Sequence, residues 1–217
     1  MTLTKPTSLK ITYFNIGGRA EATRLILFIA GIDFEDERIN REQFLALKPT
    51  LPFGQVPILT VDGEHVIAQS RVIQRYAGAI AKLYPGESDP LASLVIDQIA
   101  DTIEDLWLKY LPVFHESDAA KKRELNDKVI QQQYPALLAG FDKFLAKYGG
   151  KYAVGDKLTS ADVFLYDYFN ALTGPDAAFE LIPKDLIDPY PNILRVVNLV
   201  REHPRVVEWE AKNAARQ

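Results

Sequence analysis

From Phe53 to Ser70 the chain reads Phe-Gly-Gln-Val-Pro-Ile-Leu-Thr-Val-Asp-Gly-Glu-His-Val-Ile-Ala-Gln-Ser, and few folds accommodate such a run. Pro57 has no N–H to give a ladder, so it belongs on an edge strand or at a strand start, and Val56 before it is pushed into extended backbone. Asp62-Gly63, set between the apolar runs 56–61 and 66–68, is a two-residue hairpin signal. An edge strand interrupted this way leaves the Val56 N–H and C=O open to an extended peptide ligand laid alongside. Gln69-Ser70 then opens a segment of helical periodicity, whose N-terminus offers free N–H groups and partial positive charge to a carboxylate.

The surrounding pattern places this run in an α/β domain. After a loose tail over residues 1–8, Leu9 to Tyr13 alternates as a strand. Arg19 to Ala30 carries Leu25, Ile26, Phe28 and Ile29 at helical spacing and stops at Gly31, and Ile32 to Ile39 reads as a second strand. A proline-rich irregular stretch leads to the hairpin. A helix from Ser70 to about Leu83 follows, with Val72, Ile73, Tyr76, Ala77 and Ile80 on one face. The helix between the first two strands predicts parallel pairing there, and the Asp-Gly turn antiparallel pairing in the second half. The outline is thioredoxin-like.

Tyr84-Pro-Gly-Glu-Ser-Asp-Pro90 breaks the composition, with Asp89 suited to cap a new helix and Pro90 to its first position. Beyond it every periodic segment is helical: 91–114, 118–148 closed by Gly149-Gly150, 159–172, 190–202 and 204–213. Thr159-Ser-Ala-Asp162 resembles a capping box flanked by Leu158 and Val163 as a hydrophobic staple. The predicted division is therefore an α/β domain over 1–84, a linker over 85–90 and an all-helical domain over 91–217.

Composition narrows the chemistry. The 25 basic and 29 acidic side chains form no block of like charge, which argues against nucleic acid or an anionic membrane as partner. No secretory pattern and no stretch of some 20 apolar residues is present, so a cytoplasmic location is the default expectation. Cysteine is absent, so any thiol chemistry must use a sulfur brought in by a ligand. His65, His115 and His203 are scattered without metal-ligand spacing, and no metal is expected.

Tyr13-Phe14, Gly18-Arg19-Ala-Glu21, Leu51-Pro-Phe-Gly-Gln-Val-Pro57 and Gln69-Ser70, taken as a set across nearly the whole chain, resemble the cytosolic glutathione transferases of the tyrosine type. The likeness is closest to the sigma class, with pi-like features such as Asp97, Asp101 and Asp105 ahead of Lys109-Tyr110. It implies a β-α-β-α-β-β-α mixed sheet of thioredoxin type followed by an all-α domain, with glutathione as co-substrate and a homodimer as the working form.

Carried over by position, the resemblance implies that Tyr13 is the catalytic hydroxyl. Arg19 lies near the glutathione site, Lys48 reaches the glycine carboxylate, and Gln55 and Val56 pair with the cysteinyl backbone ahead of a cis Pro57. Gln69 and Ser70 hold the γ-glutamyl carboxylate, and Asp105 reaches the amino group of glutathione bound in the partner subunit. Phe44 stands where these classes usually carry a tryptophan whose indole N–H donates to the glycine carboxylate, which phenylalanine cannot do. Gly17 replaces an arginine common before the Gly-Arg pair. Phe53 matches an aromatic key inserted into the partner, and Arg75 is a candidate partner for the acidic stripe across the dimer. Phe14, Ile16, Tyr110, Phe114, His115 and Trp209 are expected to line the pocket for the second substrate, although periodicity alone would place most of them in the core. The implied activity is conjugation of apolar electrophiles. A glutathione-dependent isomerase of prostaglandin-D-synthase type, a peroxidase-like side activity and a non-catalytic ligand-binding protein on the same fold are the alternatives.

Overall fold

A computed structural model describes residues 6–175, 177 and 179–214; residues 1–5 of the expected tail and 215–217 of the expected helical domain lie outside the described residues. The chain divides into two compact units, one formed by residues 1–86 with 204–217 and the other by 87–203.

In the first unit β1 (Leu9–Phe14), α1 (Gly18–Ile29), β2 (Glu35–Ile39), α2 (Arg41–Leu47), β3 (Ile58–Val61), β4 (His65–Ala68) and α3 (Ser70–Ile80) follow in order. The sheet runs β2-β1-β3-β4. β1 and β2 are parallel, β3 is antiparallel to both β1 and β4. The β3–β4 turn has Asp62 at φ 55° and Gly63 at φ 71°, the double left-handed conformation of a type I′ turn. The Asp62 carboxylate also takes the Thr7 N–H and hydroxyl and the Ser8 N–H, tying the segment ahead of β1 to the turn.

One expectation is corrected by this topology. β3 lies inside the sheet, flanked on both sides, so Pro57 marks the start of an internal strand and not an edge. Its missing N–H sits just ahead of the ladder, where none is needed. The stretch after β2 is also more ordered than periodicity indicates. Asn40 accepts from the Gln43 N–H at 2.9 Å while the Gln43 side chain accepts from the Asn40 N–H at 2.8 Å, a reciprocal cap that starts α2.

Ile11, Leu25, Ile26, Leu27, Leu59 and Ile73 are fully or almost fully buried between the sheet and its helices. At roughly 1.5–3 kcal/mol each, such side chains hold the unit together. α9 (Pro204–Ala214) was expected to extend the helical domain but packs on α1 instead. The Arg205 guanidinium donates to the Phe28 carbonyl at 2.8 Å, adding a second bond to a carbonyl at the end of α1 that already accepts the Gly31 N–H at 3.1 Å, and stacks over the Phe28 ring at 3.9 Å.

The second unit contains α4 (Pro90–His115), α5 (Ala119–Lys128), α6 (Tyr134–Tyr148), α7 (Ser160–Thr173) and α8 (Pro191–Arg201). Asp89 caps α4 through the Ala92 N–H at 3.0 Å with Pro90 in the first turn, as the sequence predicts. The single helix expected over 118–148 is interrupted by a π-helical turn at Val129–Gln133. Pro135 has no N–H for the carbonyl four residues back and its ring crowds that carbonyl, so the backbone widens just before it.

Candidate active site

The β1–α1 junction is built by two glycines and a buried arginine. Gly18, at φ 49°, turns the chain into α1 in a conformation that side chains resist. A Cβ there would also stand 2.9 Å from the Tyr13 hydroxyl oxygen. With glycine in place, the hydroxyl approaches the helix start and accepts the Arg19 N–H at 3.3 Å. Tyr13 is 7% exposed, its ring against Phe14 at 5.5 Å between centroids. A phenol whose oxygen accepts a helix N-terminal N–H is a better donor through its own proton, because the accepted bond and the helix dipole both withdraw electron density.

Arg19 donates through Nη1 to the Ser70 hydroxyl at 3.2 Å, which brings the start of α1 and the start of α3 together. Gln69 caps α3 at φ 74°, ψ 110°, a strained conformation for a residue with a side chain, costing about 1–3 kcal/mol. Among the described residues no side-chain hydrogen bond caps α3, and its start carries the partial positive charge that favours an anion. Val56-Pro57 is a cis peptide, as the resemblance implies. Val56 is half-buried and Gln55 exposed, one and two residues ahead of that proline. Phe44 packs on Phe14 at 5.3 Å, and the Lys48 ammonium stands 5.9 Å from the Phe44 ring, exposed and available. Tyr13, Arg19, Gln69 and Ser70 are thus joined by hydrogen bonds or chain adjacency, and Phe14, Phe44 and Lys48 form an adjoining chain of contacts.

The expected pocket residues separate into several environments. Ile16 is 56% exposed beside the β1–α1 junction, and Phe14 is half-buried. In the helical unit Phe114 is 47% exposed and packs against His115 and Trp107, the latter not singled out from the sequence. Tyr110 is 2% exposed and its hydroxyl donates to Asn126 at 3.2 Å. Trp209 is 4% exposed. Its indole N–H donates to Glu21 at 2.5 Å and its ring packs on Phe28 and Phe34. Asp105 is exposed on α4. Among the described residues no group of three His, Cys, Asp or Glu side chains is arranged to hold a metal ion, and no helix is long and apolar enough to cross a membrane.

Sequence reasoning missed Arg24. Its side chain is completely buried and donates from Nε to Asp36 at 2.8 Å and from Nη1 to Glu21 at 3.0 Å and the Ile16 carbonyl at 2.8 Å. Two carboxylates on either side of it were the only hint available in the chain, and their convergence depends on the β1–β2 pairing.

Comparison with known proteins decides the family. The glutathione S-transferase N-terminal domain family model matches residues 9–79 and the C-terminal domain family model residues 104–213. The chain belongs to the glutathione S-transferase family. It is similar to glutathione S-transferase 1 of Ascaris suum, 35% identical over 206 residues covering 94% of this chain and 95% of that one. Among solved structures, the prostaglandin synthase D of Nilaparvata lugens superposes with a TM-score of 0.81 at 33% identity, covering 94% of this chain and 98% of the other. The sigma class transferase of Fasciola hepatica superposes with a TM-score of 0.82 at 28% identity, covering 97% and 98%.

Proposed function

We propose that this glutathione S-transferase joins the glutathione thiolate to apolar electrophiles, with Tyr13 as the group that holds the anion. Glutathione is the co-substrate. Its thiol, with an ordinary pKa of about 8.5, is only a few per cent ionised at neutral pH. Lowering that value by about two units requires roughly 2.7 kcal/mol. One hydrogen bond to a charged sulfur contributes about 1.5–3 kcal/mol and a helix N-terminus about 0.3–1 more. Tyr13 at the head of α1 combines both sources. The observation that carries the reading is its hydroxyl accepting the Arg19 N–H, which aims the phenolic proton away from the helix.

The remaining roles follow the chemistry of each group. The uncapped start of α3, with Gln69 and Ser70, receives the γ-glutamyl carboxylate, while the exposed Lys48 neutralises the glycine carboxylate and Val56 pairs with the cysteinyl backbone. Phe53, 63% exposed, supports a homodimer in which an aromatic side chain is covered by the partner and Asp105 reaches the partner's glutathione. The electrophile is held by apolar side chains of the first unit that include Phe14 and Ile16. Calorimetry with glutathione, followed by a conjugation assay with a chloro-nitro-aromatic substrate, tests this: binding with turnover is expected, and binding without turnover would favour a ligand-binding role. The similarity to a prostaglandin synthase D supports isomerase chemistry as a second reading, and turnover of a prostaglandin endoperoxide without net glutathione consumption would establish it.

Phe44→Trp is expected to tighten glutathione binding. Restoring an indole N–H toward the glycine carboxylate adds one hydrogen bond, about 1 kcal/mol, or a roughly five-fold lower Kd. Titration calorimetry on both proteins at one salt concentration checks it.

A further inference from the structure

A closed ring of hydrogen bonds surrounds the β1–α1 junction, and α9 completes it. Glu21 bonds Arg24, Arg24 bonds Asp36, Asp36 accepts from Arg38 at 2.8 Å, Arg38 donates to the Asn213 side-chain oxygen at 3.3 Å, and Asn213 donates back to Glu21 at 3.1 Å. Trp209 adds its indole N–H to the same Glu21 oxygen at 2.5 Å. The two arginines also hold the junction itself: Arg24 bonds the Ile16 and Gly17 carbonyls, and Arg38 bonds the Asn15 side chain at 3.2 Å. Residues 15–17 are thereby fixed between Tyr13 and the Arg19 N–H that its hydroxyl accepts.

We propose that Glu21 and Arg24 are positioning residues that tie the docking of α9, through Trp209 and Asn213, to the placement of the Tyr13 hydroxyl. The proposal rests on Tyr13 being the thiolate-holding group. The physical basis is that a charge-assisted hydrogen bond loses strength steeply once donor and acceptor leave alignment. An element that fixes residues 15–17 therefore fixes how well the phenol meets a sulfur anion. The charged groups facing the junction are Glu21 and Arg24 of α1 and Asp36 and Arg38 of β2, with Arg19 at the helix start. Trp209 and Asn213 bring no charge, so replacing either changes position without removing a neighbouring charge.

Two variants test this in the full-length protein. Trp209→Phe keeps an aromatic ring against Phe28 but loses the donor, and Asn213→Ala opens the ring at another point and keeps the test open should the first variant fail to fold. The readout is the ultraviolet absorbance of the thiolate in protein saturated with glutathione, followed against pH beside the dissociation constant of glutathione. The expected result is a three- to ten-fold loss in the ionisation constant of the bound thiol, seen as a midpoint raised by about half to one pH unit, with the Kd changed less than about two-fold. A purely structural role would lower thermal stability and leave that midpoint in place, and an unmoved midpoint in the folded variants overturns the proposal. If the unsubstituted protein binds glutathione but shows no thiolate at neutral pH, the reading of Tyr13 fails instead.

Discussion

Tyr13→Phe is expected to bind glutathione within about two-fold of the unsubstituted protein while its turnover number falls by roughly 10- to 150-fold. The range is the rate equivalent of losing one hydrogen bond to a charged sulfur, about 1.5–3 kcal/mol, from the reacting state. The ring should stay where it is, since it is held by Phe14 at 5.5 Å and by the Arg24 guanidinium 5.9 Å from its centre. The substitution removes the acceptor of the Arg19 N–H bond, a long one at 3.3 Å on a half-buried residue at the helix start, so the fold is expected to lose no more than about 1 kcal/mol. The pH dependence supplies a second check. With the donor gone the bound thiol ionises nearer its ordinary value of about 8.5, so the rising limb of kcat moves to higher pH and the variant recovers part of its deficit in alkaline buffer. Unchanged turnover with an unchanged pH profile would remove Tyr13 from the mechanism.

The parts of this arrangement visible in the sequence are those set by local chemistry. The β3–β4 hairpin is legible because a type I′ turn needs two residues tolerant of positive φ, and Asp62-Gly63 supplies them. The start of α4 is legible because Asp89-Pro90 is a cap followed by a residue that needs no N–H partner. α2 escapes periodicity since none of its residues is buried, leaving no apolar face to detect. Its only signature is the Asn40–Gln43 capping pair. Tyr110 lies on the apolar face of a long helix, where core and pocket look alike to periodicity, and its bond to Asn126 and its edge contact with Phe179 arise from packing that no local pattern shows. The internal position of β3, the return of α9 to α1 and the Arg24–Asp36 ion pair depend on contacts between separate segments, and no local rule encodes these. Trp209 is legible as a large aromatic but not as the donor to Glu21, 188 residues away in the chain.

Asp162→Ala is expected to destabilise the folded protein by about 3–5 kcal/mol, more than any surface change. One Asp162 oxygen takes the Ala153 N–H at 2.7 Å, and the other takes the Thr159 N–H at 2.7 Å and the Thr159 hydroxyl at 2.8 Å. Alanine leaves these donors without an acceptor in a site where Asp162 is completely buried, and each orphaned donor costs about 1–3 kcal/mol. In a chain of this length each kcal/mol corresponds to roughly 2–4 °C, so a drop in Tm of the order of 10 °C is expected from calorimetry. The charge of the carboxylate adds a pH signature. Burial pushes its pKa up to about 6, and the bonds from Ala153 and Thr159 pull in the opposite direction without overcoming it. A carboxyl whose folded value lies above its unfolded value of about 3.9 binds its proton more tightly in the folded state. Its contribution to stability is therefore complete below about pH 4 and is lost as pH rises through about 6, by an amount on the order of 3 kcal/mol. Other carboxylates run the other way, Glu37 being held below its ordinary value chiefly by the Thr12 hydroxyl, so the total stability curve mixes both signs. Subtracting the curve of Asp162→Asn, which cannot titrate, isolates this group. The difference should fall between pH 4 and about 6.5 and be flat above, and a difference independent of pH would mean that Asp162 stays ionised throughout and acts as a fixed cap.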